Sequence, residues 1–110
     1  MKIAIPLANG KLTAHFGHCQ EFAIVEVEGD EIKKNETLVP PPHEPGVLPN
    51  WLHQLGADVI IAGGMGQRAV GLLSDKGIEV VTGAPEIEPE ELVRSYLDKT
   101  LITGVNACDH

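Results

Sequence analysis

The 110 residues suffice for one ordinary domain with its own core, and 43% of them are hydrophobic at a mean hydropathy of +0.01. Leu, Ile, Val and Phe make up well over a fifth of the chain, which excludes an intrinsically disordered polymer. Sixteen acids against eight bases leave a formal charge of -8, so the field of the whole protein would repel a nucleic-acid backbone.

Lys2 to Pro6 is a short apolar run closed by proline, the pattern of a buried first strand. A polar, glycine-containing loop is expected from Ala8 to Gln20. Glu21 to Glu28 then alternates, with Ala23, Val25 and Val27 on one face and Phe22 and Ile24 on the other. Gly29-Asp30 has the form of a tight hairpin turn with glycine at its first central position. The returning strand, Glu31 to Val39, carries Lys33, Lys34 and Glu36, which suit an edge that must not recruit another sheet.

Pro40 to Pro45 holds four prolines, a stiff change of chain direction. Leu48, Trp51, Leu52 and Leu55 follow at helical spacing, with Pro49 in the first turn and Gly56 as a stop. Asp58 to Ala62 reads as an apolar strand. Gly63-Gly64-Met65-Gly66 then opens a second helix through Ala69, Val70, Leu72 and Leu73, ended by Gly77. Ile78 to Val81 gives a fifth strand, and Pro89 starts a last helix with Glu90 and Glu91 set favourably against its dipole.

The order β-β-β-α-β-α-β-α describes one α/β domain over residues 1–110, a mixed five-stranded sheet in a ribonuclease-H-like arrangement. Open sheets of this kind bind ligands beyond the carboxyl ends of their parallel strands. The loop after the first strand and the glycine turn 63–66 are expected there. No run approaches the roughly 20 apolar residues that cross a bilayer, and the N-terminus does not read as a secretory leader. Cys19 and Cys108 form no C-x-x-C pair, and a cytoplasmic location is expected.

Three groups able to hold a soft metal, His15, His18 and Cys19, fall within five residues. They form either a ligand set or a loop whose histidines bond the backbone and whose cysteine packs as a small apolar group. Gly63-Gly64-Met65-Gly66 is either a cradle of N–H groups for an anion or a tight strand-to-helix turn. Charge placement bears on both. Residues 1–20 and 59–74 contain no carboxylate, only Lys2, Lys11 and Arg68. A hard cation would want carboxylate oxygens, and two-metal nuclease chemistry would need them on the central strands. An anion wants none. Cys108 and His110, with Asp109, form a second potential ligand group at the C-terminus.

Ile3-Ala4-Ile5-Pro6, His15-Phe16-Gly17-His18 and Val59-Ile60-Ile61-Ala62-Gly63-Gly64-Met65-Gly66 together resemble the dinitrogenase iron–molybdenum cofactor biosynthesis domain family. The resemblance runs from the first strand to the last helix. It implies a small ribonuclease-H-like domain that binds metal–sulfur cofactors or their precursors, with relatives that bind molybdenum–copper sulfide clusters. Carried over by position, His15 and His18 would be the first-loop contacts and Gly63, Gly64 and Gly66 the backbone cradle, with Phe16, Gly17 and Met65 counted among the cofactor-binding residues between them. Cys19, Cys108 and His110 would be further metal ligands. The expected function is a non-catalytic carrier or scaffold for an anionic cluster containing molybdenum, iron or copper, with thiometallate as ligand and cofactor-assembly or acceptor proteins as partners. The alternative is a metal-responsive or interaction module that holds a single soft ion through His and Cys.

Overall fold

The N-terminal strand, β1 (Lys2–Ala8), is the axis of the sheet, because five of its seven residues are buried and it pairs on both sides. The structure, a computed structural model, describes residues 1–13, 19–42, 46–101 and 103. On one side β1 takes the antiparallel hairpin of β3 (Glu21–Glu28) and β4 (Glu31–Leu38). On the other it pairs in parallel with β5 (Val59–Ile61), which pairs in parallel with β6 (Glu79–Val81). The path across the sheet is β4-β3-β1-β5-β6.

Side-chain alternation divides the core in two. Ala4, Phe22, Ile24 and Ile60 lie on one face with Leu48, Leu52 and Leu73 from helices α1 (Val47–Gln54) and α2 (Gln67–Asp75). Ile3, Ile5, Ala23, Val25, Val59 and Ile61 lie on the other with Leu92 and Val93 of α3 (Pro89–Leu97). The expected split of Ala23, Val25 and Val27 from Phe22 and Ile24 is thus the one observed. Gly56 and Gly77, each just past its helix, take φ values of 81° and 78°, a left-handed stop that disfavours a side chain.

The sheet has six strands rather than five. The addition is β2, Lys11–Leu12, inside the segment expected to be loop. Asn9 and Gly10 both have positive φ, 57° and 82°, and close a two-residue turn that sets Leu7 opposite Leu12 and Ala8 opposite Lys11. Asn-Gly is the dipeptide such a turn favours, since both central residues must enter the left-handed region. The Gly29-Asp30 hairpin is present as expected, with Gly29 at φ 63° between paired Glu28 and Glu31. The charged edge is also present: β4 ends the sheet, with Lys33–Glu31 and Lys34–Glu36 ion pairs of 2.8 and 3.1 Å along it. Among the described residues no helix is long and apolar enough to cross a membrane.

Candidate functional site

The chain leaves the carboxyl end of β1 toward β3 on one side, while β5, on the other side, is reached only through β4 and α1. Connections diverge at such a point and leave a crevice between the two strands. Pro6 widens it. Lys2 accepts the Asp58 N–H through its carbonyl at 2.8 Å, so alternate residues of β1 present their backbone groups toward β5. Residue 6 points the same way, and proline has no N–H to give. Parallel pairing with β5 therefore runs through Ile3 and Ala4 only. Beyond it the Pro6 carbonyl accepts the Thr13 N–H at 3.1 Å, and β2 takes over that flank.

The glycine turn forms the β5 wall of this crevice. Gly63, Gly64 and Met65 are buried and Gly66 is exposed. Met65 has no accessible surface and belongs to the same core cluster as Phe22, Leu48 and Cys19, so it anchors the turn in the core. Gly66 precedes α2 in an extended conformation with no side-chain cap. Among the described residues, the N–H groups of Gly64, Gly66, Arg68 and Ala69 have no acceptor. Four uncapped donors around a helix start, in a stretch without carboxylates, make an electropositive patch that suits an anion.

Cys19 lies on the other side of β1, two residues before β3. It is 6% exposed, within the same core cluster as Met65, and burial pushes its thiol up to about 11 against the lowering effect of its backbone hydrogen bond. The side chain therefore keeps its proton at neutral pH and packs as an apolar group, and ligation would require it to lose that proton. His15, Phe16, Gly17 and His18 lie outside the described residues, as do Cys108 and His110. The residues that bracket 14–18 are placed: Thr13 donates to Pro6, and Gln20 donates to the Leu7 carbonyl at 2.7 Å. Both anchors of that segment are thus at the carboxyl end of β1. Among the described residues no three His, Cys, Asp or Glu side chains gather as a metal would need.

A third segment borders the same edge and was not singled out in the sequence. After β6 the chain runs Thr82-Gly83-Ala84-Pro85-Glu86-Ile87, and Gly83 donates to the Gly63 carbonyl at 2.7 Å. Its far end, at Ile87, accepts the Leu12 N–H of β2 at 3.1 Å. The signal available was topological: β6 is parallel to β5, so the loop after it must emerge beside the glycine turn. This segment brings Glu86, exposed, to an edge whose first two loops are free of acids.

The family model described as dinitrogenase iron–molybdenum cofactor matches residues 1–99. The uncharacterized protein MJ0580 of Methanocaldococcus jannaschii is 32% identical, over 92% of this chain and 89% of its own. The crystal structure of PH0822 superposes with a TM-score of 0.86 at 31% identity, covering 94% of both chains. The apo form of the orange protein from Desulfovibrio gigas superposes with a TM-score of 0.75 at 22% identity, over 96% of this chain and 93% of that one, a likeness of fold.

Proposed function

We propose, from the premise that this chain belongs to the dinitrogenase iron–molybdenum cofactor family, that it carries an anionic metal–sulfur cluster or its thiometallate precursor without transforming it. The observation that carries this reading is the set of acceptor-free N–H groups at Gly64, Gly66, Arg68 and Ala69, in a stretch with no carboxylate from 59 to 74. Sulfide-rich clusters are anions whose outer atoms accept hydrogen bonds, so amides and a helix start lower their energy while carboxylates would raise it. His15 and His18, tethered between Thr13 and Gln20, are proposed as ligands at an open metal. Cys19, Cys108 and His110 are proposed as secondary donors. Partners would be proteins that deliver or accept the cluster.

The test is anaerobic purification, assay of bound metal and acid-labile sulfide, and titration with tetrathiomolybdate, copper, iron and zinc. The reading predicts a new charge-transfer absorption with thiomolybdate that weakens in His15→Ala and His18→Ala. Stoichiometric zinc without sulfide would instead support a single-ion module, and no binding of any of these species would sink both.

A further inference from the structure

We infer that residues 83–87 are a strap that makes the β1–β2 hairpin and the glycine turn move as one unit, with Gly83 as its positioning residue. Surface connections are usually the mobile part of a domain. This one is fastened at both ends. At one end Gly83 and Ala84 donate to the carbonyls of Gly63 and Ala62 at 2.7 and 3.2 Å, continuing the β5–β6 ladder past the strands. At the other, the Ile87 carbonyl accepts the Leu12 N–H of β2 at 3.1 Å.

The span between the fastenings is stiff. Pro85 has its φ fixed by its ring, and the Ile87 N–H folds back onto the Pro85 carbonyl at 2.9 Å, a three-residue turn. Ala84 is buried with Leu12 and Leu92 in the core beneath α3, and Ile87 packs against the same cluster. Gly83 begins the strap at φ 77°, a conformation that residues with a Cβ adopt at a cost. Displacing the glycine turn therefore pulls on Leu12, one residue before Thr13 and the segment that follows it. The strap's bearing on a bound cluster rests on the function proposed above. The mechanical coupling does not.

Amide exchange in the full chain without ligand decides the coupling. Gly83→Ala is compared with Gly77→Ala, which carries the same backbone penalty at φ 78°, in open space beyond the far end of α2. After the change in global stability is subtracted, the Leu12 N–H should exchange about tenfold faster in Gly83→Ala and less than about twofold faster in Gly77→Ala. Pro85→Gly, which only frees the span, should give a smaller acceleration of roughly threefold at the same amide and serves if Gly83→Ala does not fold. Equal Leu12 exchange in Gly83→Ala and Gly77→Ala, or no acceleration at Leu12 in Pro85→Gly, overturns the strap. Tetrathiomolybdate is then added to the wild type. Joint protection of Leu12 and Gly83 supports the strap's part in the site, and binding that protects one alone overturns that part. If the wild type binds no thiomolybdate, the carrier reading fails while the ligand-free exchange still decides the coupling.

Discussion

Where β1 begins, the polar groups of the sheet are satisfied within the chain: the Met1 ammonium donates to Val27 at 3.0 Å, the Lys2 N–H to Asp58 Oδ2 at 2.9 Å, and Lys2 Nζ to the Leu55 carbonyl at 3.0 Å. Where β1 ends, a glycine turn and the first turn of a helix leave N–H groups without acceptors among the described residues. The first edge closes a structure. The second leaves donors that solvent or an anionic ligand can meet. The carboxylate of Asp58, at the entry of β5, belongs to the closed edge, where it accepts the Lys2 N–H of β1.

The largest expected effect comes from moving a carboxylate to the open edge. Gly66 has extended backbone angles, φ -65° and ψ 150°, and a Cβ there meets nothing within 4 Å. Gly66→Asp should cap α2 and raise stability by a few tenths of a kcal/mol in urea unfolding. The same charge should weaken thiomolybdate binding on the order of a hundredfold, since like charges meet at close range. Stability and binding moving in opposite directions would be hard to obtain from a merely structural turn. Asp58→Ala is the converse case at the closed edge. Losing the Lys2 acceptor should cost about 1 kcal/mol by the same unfolding assay and leave thiomolybdate affinity unchanged.

Cys19, buried beside the open edge, gives stability a dependence on pH. Its thiol titrates near 11 in the folded chain against 9.0 for the unperturbed group. The folded state holds this proton more tightly, so its contribution is fully present below about pH 9 and lost as pH rises toward 11. Wild-type stability should accordingly fall over that window by more than that of Cys19→Ala in parallel urea melts. The smallest effect belongs to the exposed β4 edge. Lys33→Ala breaks the 2.8 Å pair with Glu31 and should change stability by less than about 0.5 kcal/mol.

Much of the fold was legible because local chemistry and tertiary packing agree. Gly29-Asp30, Gly56 and Gly77 sit where a left-handed residue is needed, and Phe22 through Val27 alternate with the two cores. β2 was missed although Asn9-Gly10 signals its turn, because two polar-flanked residues, Lys11 and Leu12, show no periodicity of their own. The candidate site was only half legible. Glycines after β5 marked the turn, but whether Cys19 faces a ligand or the core depends on neighbours far along the chain, such as Leu48 and Met65. The strap at 83–87 is legible only from the hydrogen bonds it makes.

The most direct test of the contrast between the two edges is amide chemical-shift mapping during an anaerobic tetrathiomolybdate titration. Saturable shifts are expected at Gly64, Gly66, Arg68 and Ala69, with Lys2, Val27 and Asp58 unmoved. Shifts centred on the closed edge, or none at the glycine turn while thiomolybdate binds, would contradict that contrast.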